Sequence, residues 1–155
     1  MKTRSLRHTA ILLLALLALM GCGKAKPELP EPQALAAELL EAAAGPEMAP
    51  MPADFLQENT GLSPEDYLSA VYYLPENSTA PDELIVVRCA GEEAAEAARQ
   101  RLEKRIARKE EAAKNYLTEQ LPIIRAGTVR RDGLTVTLVV CENMEAVQQV
   151  FRRYR

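Results

Sequence analysis

The chain has 155 residues, of which 48% are hydrophobic and 26% are charged, and its formal net charge is -3. That length accommodates one ordinary domain, and the composition is typical of globular proteins rather than of disordered, collagen-like or coiled-coil chains. The chain has one histidine, three cysteines and no tryptophan. Histidines and cysteines are therefore too few to favour a zinc centre or catalysis by an imidazole base.

The N-terminal residues are typical of a bacterial lipoprotein signal peptide. Three basic residues and no acid precede an apolar run from Ala10 to Met20, which is shorter than the roughly 20 residues that a membrane-spanning helix needs. The stretch Leu19-Met20-Gly21-Cys22 resembles the lipobox, whose cysteine receives the lipid and becomes the first residue. We therefore predict a signal peptide over residues 1–21 and lipidation of Cys22. A secretory signal cleaved without lipidation is the alternative.

Cleavage before Cys22 would change the chemistry that the chain can offer. It removes His8, the only histidine, and leaves a net charge of -6. Catalytic triads with an imidazole base are then excluded. The sequence also lacks a Cys-x-x-Cys pair and a glycine-rich phosphate loop. We therefore predict no metal, no cofactor and no enzymatic activity.

The chain after the signal divides into three parts. Residues 22–33 contain three prolines and are expected to form a tether. Residues 34–52 are expected to hold a helix, with a candidate over Gln33–Ala44 ended by Gly45-Pro46, and a proline-rich connection that joins it loosely to the rest. Residues 53–155 are expected to form one globular α+β domain.

The elements of that domain follow in chain order. They are a helix over Ala53–Asn59, a helical turn at Ser63–Asp66, a strand ended by Pro75, a strand over Leu84–Cys89, a helix from Glu92 to about Tyr116, a helix or turn that continues over Asn115–Leu121 until Pro122, a hairpin turning at Asp132-Gly133, and a helix over Glu145–Arg155.

The second hairpin strand shows a clear alternation. Leu134, Val136, Leu138 and Val140 alternate with threonines at 135 and 137, which predicts one buried face and one more exposed face. Strand pairs separated by a helix favour an α+β fold with a single antiparallel sheet of about four strands. We expect the long helix and the C-terminal helix to pack on one face of that sheet.

Two stretches resemble a known family. Asp82-Glu83-Leu84-Ile85-Val86-Val87 leads into the long helix, and Asn115-Tyr116-Leu117-Thr118-Glu119-Gln120 ends it. With the hairpin at Gly133, this order is similar to the bacterial family called domain of unknown function 4358, over about residues 54–151. The resemblance implies a small lipoprotein, and it carries no established activity.

Two cysteines, Cys89 and Cys141, remain in the mature chain. They could be buried thiols that act as small hydrophobic side chains, a disulfide between strands, or a reactive thiol beside Arg88. The strand alternation places them on different faces, which argues against the disulfide.

The charges are distributed unevenly. Residues 22–98 hold 3 basic and 15 acidic residues, whereas residues 99–155 hold 13 basic and 7 acidic residues. One interpretation is that the two parts pack together and neutralise each other. The other is a partner surface on the long helix for a protein or an anionic lipid. Its candidate residues are Arg101, Arg105, Arg108 and Lys109.

These observations predict a lipoprotein held at the extracytoplasmic face of a bacterial membrane by a lipid on Cys22. We expect it to act as a non-catalytic interaction or accessory module that binds no nucleic acid. One alternative is a cell-envelope hydrolase, which would need a cleft with two carboxylates in different environments. Another is a small-ligand binding lipoprotein, which would need an apolar pocket of roughly several hundred cubic ångströms.

Overall fold

The computed structural model describes residues 28–76 and 79–154. Its helices are α1 (Pro32–Ala43), α2 (Ala53–Thr60), α3 (Glu92–Tyr116), α4 (Leu121–Ala126) and α5 (Met144–Arg152). Its strands are β1 (Met48–Pro50), β2 (Ser69–Pro75), β3 (Glu83–Arg88), β4 (Thr128–Asp132) and β5 (Thr135–Val140). The predicted α+β class with one antiparallel sheet is confirmed.

The sheet has the strand order β1-β2-β3-β5-β4, and every neighbouring pair is antiparallel. The strand that the sequence did not predict is β1, which pairs with β2 at the edge. Its proline, Pro50, is tolerated there because an edge strand leaves one row of backbone groups unpaired. The sheet therefore has five strands rather than about four.

One face of the sheet is covered by the long helix α3 together with α2 and α4. Side chains from β3 and β5, such as Ile85, Val87 and Leu138, pack there against Ala98 and Leu102 of α3. The apolar stripe of α3 contains several alanines, which allow the helix to lie close to the sheet.

The other face is covered by α1 and the C-terminal helix α5. Leu84, Val86 and Val139 pack there against Leu39 of α1 and Val147 of α5. The prediction that α3 and α5 share one face is therefore wrong. Four consecutive apolar residues of β3 supply both faces of a central strand, and both faces need a cover.

The same burial corrects the interpretation of the threonines in β5. Thr135 and Thr137 are 3% and 2% exposed, so the face predicted to be more exposed is as buried as the other. The alternation itself is present in β5, since Val136 and Leu138 lie in one core and Val139 lies in the other. Alternation showed which side chains point together, but it did not show whether a helix covers them.

The first helix is an integral part of this body rather than a loosely joined segment. Leu35 and Ala36 of α1 are fully buried, and β1 adds a strand to the sheet. Pro32 opens the helix at a position where its missing N–H costs nothing. Leu29, in the expected tether, is also buried at 9% exposure. The packed body thus begins before residue 34.

The predicted role of Pro122 is wrong. This proline was expected to end the helix or turn that follows Tyr116, but it lies in the first turn of α4. Ile124 of α4 is 2% exposed and closes the core beneath α3.

None of the helices within residues 28–76 and 79–154 is long and apolar enough to cross a membrane.

Candidate functional site

Two consecutive acids, Asp82 and Glu83, are buried where β3 begins, at 8% and 1% exposure. Buried carboxylates are rare unless they are paired, so each needs an explanation. Glu83 has the same strand parity as Ile85 and Val87 and faces α3. Asp82 instead borders a cavity next to α1. The two side chains therefore lie on opposite faces of the sheet.

The carboxylate of Glu83 is saturated with hydrogen bonds. Tyr72 on β2 donates its hydroxyl to Oε1 at 2.9 Å. Arg105 on α3 donates Nε to Oε1 at 2.8 Å and Nη2 to Oε2 at 3.3 Å. Lys109 donates Nζ to Oε2 at 2.9 Å. Arg105 and Lys109 are one helical turn apart, which brings both cations to the same carboxylate.

These contacts decide the protonation state of the site. Burial alone would raise the pKa of Glu83, but the charges of Lys109 and Arg105 outweigh it and lower that pKa. Burial and the neighbouring carboxylate raise the pKa of Tyr72. The cluster is thus an ionised carboxylate held by two cations and a neutral phenol. Both carboxylate oxygens of Glu83 accept hydrogen bonds, so the cluster links β2, β3 and α3.

Asp82 is in the opposite situation. Burial raises the pKa of its carboxyl above the ordinary value. In the described parts of the chain its only hydrogen-bond donor is its own backbone N–H. Lys109 is close enough to interact by charge, but its ammonium group is bound to Glu83.

The four candidate residues of the basic surface on α3 are placed differently from one another. Arg105 and Lys109 point inward to Glu83, with side chains 19% and 17% exposed. Arg101 forms an ion pair with Asp66. Arg108 donates Nη2 to the carbonyl oxygen of Asn59 at 2.7 Å. Half of the set is thus committed to the core, which matches the interpretation in which acidic and basic parts neutralise each other.

The two cysteines are free and buried. Cys89 lies in the core under α3, and Cys141 lies in the core under α1 and α5. The sheet separates them, so the disulfide alternative is wrong. Burial raises the pKa of both thiols, and that of Cys141 reaches about 11. Burial also keeps both thiols away from reagents, and a raised pKa leaves little of the reactive thiolate, which argues against the reactive alternative.

The first described residues are fixed to one end of the sheet. The carbonyl oxygen of Leu29 accepts a hydrogen bond from Arg88 Nη2 at 3.1 Å, and Glu28 pairs with the same guanidinium at 3.5 Å. Arg88 ends β3, whereas Asp82 and Glu83 lie where that strand begins. The predicted signal peptide over 1–21, Cys22 and the first part of the tether lie outside the described residues.

Comparison with known families gives one match. Residues 42–141 match the model of the domain of unknown function DUF4358. The chain belongs to this family. The match runs from the end of α1 to Cys141 and therefore includes all five strands and the Glu83 cluster. No curated protein and no solved structure is detectably similar to the chain.

The DUF4358 resemblance predicted from the sequence is thus confirmed, but the site within the domain was missed. Arg105 and Lys109 were singled out as surface residues, Glu83 was named only as part of the family resemblance, and Tyr72 was given no role. One signal was available: two acids directly before a run of four apolar strand residues. Acids at that position enter a buried strand, and the four-residue spacing of two basic residues on α3 offered a partner for one of them.

Proposed function

We propose that this chain is an extracytoplasmic lipoprotein of bacteria, anchored through a lipid on Cys22, whose folded body acts as a non-catalytic interaction or accessory module. The observation that carries the proposal is the sequence from Ala10 to Cys22, a short apolar run that ends in a lipobox-like stretch. Buried lipid methylenes supply the membrane affinity, and two or more chains make such an anchor stable.

The geometry of the body fits a short anchor. Leu29 is attached to the Arg88 end of the sheet, so only the residues between Cys22 and Glu28 are left to span the distance to the bilayer. A chain segment of that length reaches about 20 Å at most. The Arg88 end of the body would therefore lie near the membrane, and the opposite end would point away from it.

The end that would point away from the membrane carries an exposed aromatic side chain. Tyr116, the last residue of α3, is 85% exposed, and the following Leu117 is 39% exposed. Exposed tyrosines are enriched in protein interfaces, because they bury a large area at a small cost in conformational entropy. This end is the surface that we assign to a protein partner.

The hydrolase alternative is weaker because of the state of the acids. A glycosidase needs one carboxylic acid and one free carboxylate on either side of the substrate. Glu83 is fully enclosed and all its oxygens accept hydrogen bonds, so it faces no substrate. The observation that favours a ligand-binding function is the cavity beside Asp82, which is treated below.

The anchor is tested by replacing Cys22 with serine in the full chain. We expect wild-type protein in the membrane fraction to carry lipid on Cys22, as seen by mass spectrometry, and Cys22→Ser to be released or mislocalised. Cys89→Ser is the matched control, because it removes a buried thiol that has no role in the anchor. An unlipidated wild-type chain in the soluble fraction would refute the proposal.

The interaction surface is tested by crosslinking in intact cells. A photoreactive residue at Tyr116 is expected to capture a protein partner, and one at Arg108 samples the part of the basic surface that remains outside the core. Lys104 is exposed on α3 one helical turn before Arg108. Reversing its charge probes the basic surface without breaking the Glu83 cluster, as changes at Arg105 or Lys109 would. A partner captured at Arg108 and lost in Lys104→Glu would assign the surface to the basic side of α3 rather than to its C-terminal end at Tyr116.

A further inference from the structure

A cavity of about 130 Å³ lies between α1 and the sheet, on the face opposite to the Glu83 cluster. Leu39 and Leu40 of α1 form one wall, and Leu84, Val139 and Cys141 form the floor. Gly45 and Pro46, in the turn between α1 and β1, also line the cavity, and Gly45 is exposed, so the mouth lies there. Apart from Asp82 and Glu83 the lining is apolar, so it offers contact area to a hydrocarbon group.

The one charged side chain at this cavity that has no ion-pair partner in the described parts of the chain is Asp82. A methyl group added at Gly45 would come within 2.8 Å of its Oδ1, which places the carboxylate at the mouth. Asp82 is 8% exposed, and no side chain in the described parts of the chain donates a hydrogen bond to its carboxylate. The carboxylate thus has no side-chain donor, and a ligand that brings one would add a charge-assisted hydrogen bond.

The charges around the mouth determine what kind of donor fits. Glu47 stands between two residues that line the cavity, and Glu142 follows a third. The charge of Glu142 acts on the Asp82 carboxyl and raises its pKa. The nearby cation, Lys109, is bound to Glu83. The rim therefore has an acidic excess that attracts a cation.

We propose that this cavity binds a small organic cation, with a primary ammonium group against Asp82 and an apolar tail against Leu84 and Val139. An enclosed apolar cavity of about 150 Å³ accommodates a benzene-sized molecule, so the tail should have roughly four to six carbons. The ammonium group supplies the missing donors and a charge of the right sign. The same head and tail occur in a free alkylamine and in a lysine side chain.

The test is a titration with n-butylammonium, followed by the methyl NMR signals of Leu39, Leu84 and Val139. The full chain is used in nanodiscs of phosphatidylcholine, which has no net charge to attract the amine. We expect saturable shifts of these signals. Asp82→Asn should weaken binding about tenfold or more, because a buried charge-assisted hydrogen bond is lost. Asp54→Asn removes the same charge from α2, across the sheet, and should change nothing.

Three results would overturn the proposal. One is the absence of saturable shifts, and another is 1-butanol binding as tightly as n-butylammonium. The third is unchanged affinity in Asp82→Asn. Butanol binding to Asp82→Asn shows whether the cavity itself survives the substitution. In addition, Ala43→Leu narrows the cavity while keeping Asp82, and it should abolish binding. Unchanged affinity in that variant would place the cation elsewhere.

A parallel titration with Nα-acetyl-lysine N-methylamide separates the two sources of the cation. Tighter binding than n-butylammonium assigns the cavity to a lysine side chain of a protein, and weaker binding assigns it to a free amine. The cavity lies within the described body, so the titration gives the same answer whether or not Cys22 carries lipid. Failure of the anchor and failure of this site are therefore distinguishable.

Discussion

The two faces of the sheet treat two adjacent carboxylates in opposite ways. On the α3 face, Glu83 receives hydrogen bonds from Tyr72, Arg105 and Lys109 and is enclosed. On the α1 face, Asp82 borders a cavity and receives no hydrogen bond from a neighbouring side chain in the described parts of the chain. The difference separates two uses of a buried charge: a carboxylate bound by several side chains holds elements together, and one without a side-chain donor at a cavity is available to a ligand.

The largest effect is expected from Glu83→Ala. It leaves Arg105 and Lys109 partly buried without a counter-charge, which typically costs about 3–5 kcal/mol of unfolding free energy. Urea denaturation of wild type and variant measures the loss. Glu111→Ala is the matched control, because it removes an exposed acid from α3, the helix that carries Arg105 and Lys109. A loss no larger than that of the control would mean that the cluster is not a stabilising unit.

The pH dependence sharpens the same comparison. The pKa of Glu83 is lowered from its ordinary value of 4.5. Its contribution to stability is therefore complete above pH 4.5 and is lost as the pH falls through the pKa of the folded state. The gap in unfolding free energy between wild type and Glu83→Gln should shrink on acidification. A gap that grows instead would contradict the lowered pKa.

A smaller loss is expected from Tyr72→Phe. The substitution removes only the hydroxyl that donates to Glu83 Oε1, and a hydrogen bond to a charged group contributes about 1.5–3 kcal/mol. The two cations remain on the carboxylate, so the loss should be less than that of Glu83→Ala. Thermal denaturation of both single variants and of the double variant checks the coupling. Additive losses would show that the hydroxyl acts independently of Glu83.

On the other face, Asp82→Asn should leave stability unchanged or raise it by less than about 1 kcal/mol at neutral pH. The pKa of Asp82 is raised from 3.8, so its contribution to stability is complete below pH 3.8 and is lost as the pH rises through the pKa of the folded state. The unfolding free energy of Asp82→Asn relative to that of wild type should therefore increase as the pH rises. Denaturation at several pH values measures this, and a large loss at neutral pH would place Asp82 among the paired carboxylates.

The smallest effect is expected at an exposed ion pair of α3. Lys114 lies 2.9 Å from Glu111, and both side chains are largely in solvent. Exposed pairs of this kind contribute little, because solvent and salt screen them. Lys114→Ala should not measurably change the melting temperature. A clear drop in the melting temperature would mean that exposed ion pairs on α3 stabilise the protein more than their exposure to solvent indicates.

Much of the secondary structure could be predicted because its signals are local. The helical turn predicted at Ser63–Asp66 is present, with Ser63 as its N-cap, and Gly133 turns the hairpin with positive φ. The edge strand β1 was missed, since three residues next to prolines carry no periodicity. The role of Pro122 was missed as well, because a proline that ends one helix and a proline that begins the next look alike in sequence.

The sequence by itself determined the fold class, most of the elements, the family and the candidate for lipidation, since these depend largely on residues close together in the chain. Only the tertiary structure decided that α3 and α5 cover opposite faces, and that Arg105 and Lys109 belong to Glu83 rather than to a surface. It also decided that Asp82 faces a cavity. The physical reason is that burial and pairing of charges depend on contacts between distant segments: Glu83 and Arg105 are 22 positions apart, and no local pattern records that they meet.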